Sequence, residues 1–346
     1  MKLPSHFVIL TLYWFSLVSV GRAVHTETKL CSKSVCVQTN PGGGIGHRLY
    51  NLLQGVMVSQ ALNISKARQN LEISNPVKTR GHYEGANHLF TQLNQDVIEC
   101  PTTKSAPLGW HIEHLEFHLE RGAFFEMNSD QVQKMRGLVE KAACNTVFIV
   151  KEFWPGNNDV FFPILQNRFK LTVKTATGQH IVNQLSFVKS RFNIAIHFRN
   201  GDIRPTAVFY FKNAIGQMLS ELKQISALPV DITIFSENGA ELHREIQKIS
   251  KKSGMDVHVV LDEKSSALLT MFHFIHSDIF VAADSSMSLV STWLCDKTTL
   301  IVGPGKTIRA FPPMTVKAEF NGSYNDSGKI IASAKLWLDK NACHAP

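Results

Sequence analysis

The 346-residue chain lacks the signatures that assign most nucleotide-binding and metal-dependent proteins. The dinucleotide spacing Gly-x-Gly-x-x-Gly, counted from Gly42, fails because His47 stands at its sixth position. Gly305-Lys306-Thr307 has Leu300 where a phosphate loop needs its first glycine. There is no Cys-x-x-Cys, which excludes zinc ribbons and thioredoxin-type redox pairs, and no His-Glu-x-x-His. No Asp-x-Asp stands at a strand end to hold a divalent ion, so neither a metal nor an organic cofactor is expected. Repeats and low-complexity tracts are missing too. No apolar run reaches the roughly 20 residues that span a bilayer.

What is present points to a lumenal globular protein. With 44% hydrophobic residues and 13 prolines, the chain can bury a substantial core and suggests two domains. Lys2 precedes an apolar run from Phe7 to Val20, and Gly21-Arg22-Ala23 follows with small residues suited to signal cleavage. Residues 1–23 therefore read as a signal peptide, with a short signal anchor as the alternative. The expected destination is the lumen of the endoplasmic reticulum or Golgi, or secretion. Six cysteines, Cys31, Cys36, Cys100, Cys144, Cys295 and Cys343, form an even set for which disulfides are the default in that compartment. Asn63-Ile64-Ser65, Asn321-Gly322-Ser323 and Asn325-Asp326-Ser327 are glycosylation sequons. The net charge of +8 comes from lysines and arginines spread along the chain, which argues against nucleic acid and for a locally positive cleft that takes an anionic small molecule.

Along the chain, Val35 to Gln38 reads as a buried strand. It leads through "PGGGIGHRLYNLLQG" into a helix whose Leu49, Leu52, Leu53, Val56, Met57 and Leu62 follow a 3.6-residue period. Residues from about 72 to 151 are polar and irregular apart from a strand at Val147 to Val150, and a helix is expected over Gln179 to Val188. "WHIEHLEFHLERG" sets His111, His114 and His118 at helical spacings, but its alternation of Ile112, Leu115, Phe117 and Leu119 suits a surface element equally. His273 and His276 read as packing or solvent-edge residues.

From Asn193 the pattern alternates. Strands at Ile194 to Phe198, Ile232 to Phe235, Val257 to Leu261, Ile279 to Ala282 and Thr299 to Val302 are separated by helices near Phe209 to Gln224, Ala240 to Ser253, Ala267 to His276 and Ser288 to Leu294. This predicts a doubly wound α/β domain over 189–346, preceded by an α/β domain over 24–188. Ligands of such a sheet sit beyond the carboxyl ends of its strands. Polar residues gather there: His197, Arg199, Gly201 and Asp202 after the first strand, Ser236 and Glu237 after the second, Asp262 after the third, and Asp284-Ser285-Ser286-Met287-Ser288 after the fourth. Arg199 offers a planar fork of donors suited to a diphosphate, and the serines open a helix whose free N–H groups favour negative charge.

Three of these stretches carry a resemblance. "IAIHFRNGDI" resembles the His-x-Arg-x-x-Asp motif of the fucosyltransferase superfamily, which includes α1,2-, α1,6- and protein O-fucosyltransferases. "SDIFVAADSSMSLVSTWL" resembles its serine-rich C-terminal motif, and "GGGIGHRLYNLLQGV" its N-terminal glycine loop. The resemblance implies an α/β GT-B fold, two Rossmann-like domains facing across a cleft. It implies inverting transfer of fucose from a GDP-fucose donor to a glycan or glycoprotein hydroxyl, without metal and without a membrane partner beyond the short anchor. Arg199 and His47 would then be catalytic, and Gly44, Gly46, Arg48, His197, Asp202, Glu237, Asp284, Ser285, Ser286 and Ser288 would bind substrate. The chain departs from the pattern where His47-Arg48 replaces Asn-Gln and where a single arginine replaces a tandem pair. A carbohydrate-binding protein without turnover, and a transferase using another nucleotide sugar, are the competing readings.

Overall fold

The structure, a computed structural model, describes residues 33–38, 46, 54–55, 58–59, 61–64, 66–69, 111–115, 129–151, 166, 170, 173–174, 176–187, 190–199, 208–225, 228–295, 299–304 and 315–342. The signal segment lies outside them. Among the described residues no helix is long and apolar enough to cross a membrane.

The first sheet holds β1 (Lys33–Gln38), β2 (Lys66–Gln69), β3 (His111–Leu115) and β4 (Thr146–Lys151), all parallel in the order β2-β1-β4-β3. Its centre pairs β1 with β4, Val35 opposite Phe148. Val35, Phe148 and Val150 form a core with Val58, Leu62 and Ile64 from the segment after the glycine loop. Met135 and Val139 of α1 (Ser129–Lys141) complete it. Residues 111–115 form a strand, which decides for the surface-element reading of this stretch over the helical one. His118 lies outside the described residues.

The helix expected over Gln179 to Val188 is α2 (Ala176–Val182). It closes in tight turns, Gln184 N–H to Ile181 O and Leu185 N–H to Val182 O. Phe187 leaves the helix to meet the His273 ring edge-on at 4.8 Å, so tertiary packing ends what local pattern would extend.

The second sheet contains β5 (Phe192–His197), β6 (Val230–Phe235), β7 (Val257–Asp262), β8 (Ile279–Val281), β9 (Leu300–Pro304) and β10 (Val316–Ala318). Its order, β10-β9-β8-β5-β6-β7, is that of a Rossmann sheet with all strands parallel. Alternation along β5 divides two cores. Ile194 and Ile196 join the core under α3 (Val208–Leu222), α4 (Ala240–Ser253) and α7 (Ser327–Ala342). Ala195 joins Phe235, Phe274, Phe280 and Cys295 on the face of α5 (Ala267–His276) and α6 (Ser286–Leu294). Spacing explains the helices: α4 buries only Leu242, Ile246 and Ser250, four apart on one stripe, whereas α5 is apolar nearly throughout and buries seven residues. The α/β class and the two Rossmann-like parallel sheets match the expectation.

Cys36 and Cys144 are disulfide-bonded. Cys295 is a buried thiol at the C-terminal cap of α6, and its Sγ–H donates to the Phe274 carbonyl at 3.7 Å.

Candidate functional site

In a doubly wound sheet the connections leave adjacent strands in opposite directions at one place, and a crevice opens there beyond the carboxyl ends. Here that place lies between β5 and β8, whose adjacent ends carry His197 and the run from Asp284 to Ser288.

Ser288 ties the two strand ends together. Its hydroxyl oxygen accepts the Ala283 N–H at 3.1 Å and lies 2.7 Å from His197 Nδ1. Ser288 thus holds the Nδ1 edge of the ring. Burial and then the Arg199 charge push His197 down to about 3, so the ring is neutral at physiological pH. The Phe274 ring, centred 5.1 Å from it, supplies an apolar wall. Arg199 stands half-buried two residues beyond β5.

Ser285 is the N-cap of α6, with extended backbone and a side chain that accepts the Ser288 N–H at 3.2 Å, while its carbonyl accepts the Leu289 N–H at 3.0 Å. Ser286 and Met287 are left as amides that the helix does not satisfy, at the positive end of its dipole. Ser286 is half-buried and Ser288 fully buried.

The glycine loop reaches this point. Gly46 is helical and buried, and a Cβ placed on it would fall 2.7 Å from Met287 Cα and 2.9 Å from the Ser286 carbonyl carbon, closer still to the Met287 nitrogen. All three are backbone atoms, so only glycine fits. Gly46 thus lies in backbone contact with the first turn of α6. Gly46 serves the approach of two backbones, a use of glycine that a phosphate-loop comparison does not reveal.

The structure therefore brings together Gly46, His197, Arg199, Ser285, Ser286 and Ser288. Asp284 and Glu237 are exposed at the strand ends, outside the His197–Ser288 network. Gly44, His47, Arg48 and Asp202 lie outside the described residues. The sequence reading missed Phe274, whose only signal was the apolar density of α5, and the Ala283 N–H, which has no side-chain signature. Among the described residues, no three His, Cys, Asp or Glu side chains gather as a metal set.

No family model matches the chain. No curated protein matches it either. Among solved structures it is similar to the E. coli heptosyltransferase WaaC with ADP-2-deoxy-2-fluoro heptose, at 10% identity and a TM-score of 0.38 over 89% of this chain and 99% of that one. It is similar to E. coli ADP-heptose lps heptosyltransferase II at 14% identity and a TM-score of 0.36, covering 90% and 99%. POFUT1 in complex with GDP-fucose aligns at 11% identity and a TM-score of 0.42, covering 80% and 98%. At such identities and scores these likenesses carry no argument about activity, which rests on the chain's own residues.

Proposed function

We propose that the chain is a GT-B glycosyltransferase that holds a nucleotide-sugar diphosphate at the β5–β8 end of its second sheet. In its specific form it transfers fucose from GDP-fucose to a glycan or glycoprotein hydroxyl, with inversion, in the lumen of the secretory pathway. One observation carries the reading: the crevice of the doubly wound sheet coincides with a cation, a neutral imidazole and the open amides of a capped helix, all at Arg199, His197 and Ser285-Ser286. The sugar and the nucleotide come from the three motif resemblances.

In this reading the acceptor oxygen attacks the anomeric carbon as the bond to the donor diphosphate breaks, and negative charge builds on the departing phosphate. Arg199 meets that charge with two parallel donors, and the Ser286 and Met287 amides meet it with the α6 dipole. His197, neutral because its pKa lies far below the working range, is proposed to carry its proton on Nε2 and to donate it as a hydrogen bond. These groups supply the stabilisation that a divalent ion gives elsewhere, and the activity is proposed to be metal-independent. His47 is the proposed partner of the acceptor hydroxyl.

Thermal stability in the presence of GDP, ADP, UDP and GDP-fucose tests the reading, since a ligand at 100 times its Kd adds about 2.7 kcal/mol. Stabilisation by GDP and GDP-fucose, with GDP release when acceptor glycans are added, is the expected result. Selective stabilisation by ADP or UDP would move the donor to another nucleotide sugar. Binding of GDP-fucose with no GDP released would make the chain a binding protein.

A further inference from the structure

We propose that Asn321 carries an N-linked glycan, displayed at the tip of a turn whose neighbouring aromatic packs against the first sugar. The inference is independent of the transferase reading and rests on the lumenal expectation.

The chain leaves β10 at Ala318 and returns at Tyr324, which pairs with Ala318 in an antiparallel bridge. Between them the Gly322 N–H donates to the Glu319 carbonyl at 2.9 Å and the Glu319 N–H to the Ser323 carbonyl at 2.7 Å, so Phe320 and Asn321 occupy the two central positions of a tight turn. Helix α3 holds this turn rigidly from beneath. Asn213 Nδ2–H donates to the Asn321 carbonyl at 2.9 Å, and Gln217 bonds both the Tyr324 carbonyl, at 2.7 Å, and the Tyr324 N–H, at 3.2 Å. Gly322 has φ +88° and lies against the Tyr210 carbonyl, where no side chain fits.

Anchored in this way, the tip projects outward. Asn321 is exposed, and its Oδ1 accepts both the Ser323 N–H at 3.0 Å and the Ser323 hydroxyl at 2.7 Å. Its Nδ2, the nitrogen that glycosylation uses, has no hydrogen bond among the described residues. Phe320 is 72% exposed, the most exposed large apolar side chain among those described. An aromatic ring this exposed at a rigid tip is unfavourable in water, and the C–H face of a sugar on the adjacent residue would cover it. The other two sequons lack this arrangement. Asn325-Asp326-Ser327 runs into the start of α7, where Asp326 pairs with Lys329 at 3.0 Å and puts an acid in the middle of the tripeptide. Asn63 caps a helical turn with φ 55° and is followed by the buried Ile64.

The donor is a lipid-diphosphate-linked oligosaccharide, supplied with its transferase by the secretory compartment. Asn321 Nδ2 bonds to the sugar C1 as the C1–O bond breaks. The lipid diphosphate leaves with the electron pair, and the nitrogen's proton goes to a base of that transferase.

The full chain, expressed in cultured animal secretory cells, is compared with its Asn63→Gln, Asn321→Gln and Asn325→Gln variants on gels, before and after peptide N-glycosidase. The wild type, Asn63→Gln and Asn325→Gln are expected to show one glycan-sized step that the enzyme removes, and Asn321→Gln none. Ser323→Ala, which keeps Asn321, is expected to lose the step as well. If Asn321→Gln fails to accumulate, conversion of Asn321 to aspartate in the enzyme-treated wild type, read by peptide mass, decides the site. A step that survives in Asn321→Gln, or secreted protein with no step, overturns the proposal. Unglycosylated protein found in the cytosol overturns it too, and places the failure in the lumenal expectation.

Discussion

The Ser288 hydroxyl lies 2.7 Å from His197 Nδ1 and 3.1 Å from the Ala283 nitrogen, so one side chain links the ends of β5 and β8. Ser288→Ala strands a buried N–H and a buried imidazole nitrogen together. Each lost partner costs about 1–3 kcal/mol, and urea unfolding should show a loss of at least about 2 kcal/mol. The GDP affinity should fall with it, because the His197 ring then loses the hydroxyl that holds it in place. Unchanged stability and affinity would detach Ser288 from both roles.

Acid should destabilise the fold through two histidines. His197 is held at about 3 and His273 at about 4, each chiefly by burial. Below pH 6.5 the unfolded chain binds protons that these folded groups refuse, so stability falls as pH drops from 6.5 toward 4, by up to ~1.4 kcal/mol per pH unit for each group. Asp278, raised to about 6 by burial, acts in the opposite sense between its ordinary value and 6. His273 packs between Phe187 and Phe235 with Nδ1 buried and unpartnered, faced by the charges of Asp262 and His276. His273→Leu should therefore give a shallower decline of Tm between pH 7 and 4.5, with no loss at pH 7. An unchanged slope would count against a His273 contribution.

Arg199→Lys keeps the charge and removes the fork. On the diphosphate reading, kcat/KM should fall about tenfold to a hundredfold, the equivalent of one charge-assisted hydrogen bond, with Tm unchanged. Arg199→Gln should in addition raise the His197 pKa, which NMR titration of the ring reads directly, although not back to its ordinary value because burial is the larger cause. Wild-type kinetics in Arg199→Lys would remove the residue from the site.

Thiol counting follows from Cys295. With Cys295 reduced, the five other cysteines cannot all pair within one chain, so at least one more thiol accompanies it, while Cys36 and Cys144 are bonded. The denatured, unreduced protein should therefore titrate two or four thiols. None or six would contradict the arrangement.

The sequence read best where strands are buried on both faces. β5, β6, β8 and β9 are short apolar runs separated by helices of clear period, and their alternation predicted the doubly wound sheet and the polar residues at its strand ends. It read worst at sheet edges. β2, Lys-Ala-Arg-Gln, and β3, His-Ile-Glu-His-Leu, each pair on one side only, as does the three-residue β10, and edge strands tolerate charge that hides their period. The helix α1 was missed because, among its described side chains, only Met135 and Val139 are buried while Leu138 is half exposed. The Gly46 contact was illegible in principle, since it joins residues 240 positions apart through backbone atoms that have no sequence signature.

That contact supplies the last test. A methyl group on Gly46 would meet the Ser286 carbonyl carbon and Met287 backbone, none of which can rotate away, so the two backbones must separate. Gly46→Ala should cost about 1–3 kcal/mol in stability, as overpacking of a tight contact does. If the Ser286 and Met287 amides hold the donor diphosphate, the same separation should weaken GDP binding more than the loss of stability accounts for, since folded Gly46→Ala protein would still bind poorly. Gly137→Ala is the control: it lies inside α1, where a Cβ meets nothing within 4 Å, and should stabilise by about 0.5–1 kcal/mol while leaving GDP binding alone. Equal GDP affinity in the two alanine variants would leave Gly46 as a packing residue and place the donor away from the first turn of α6.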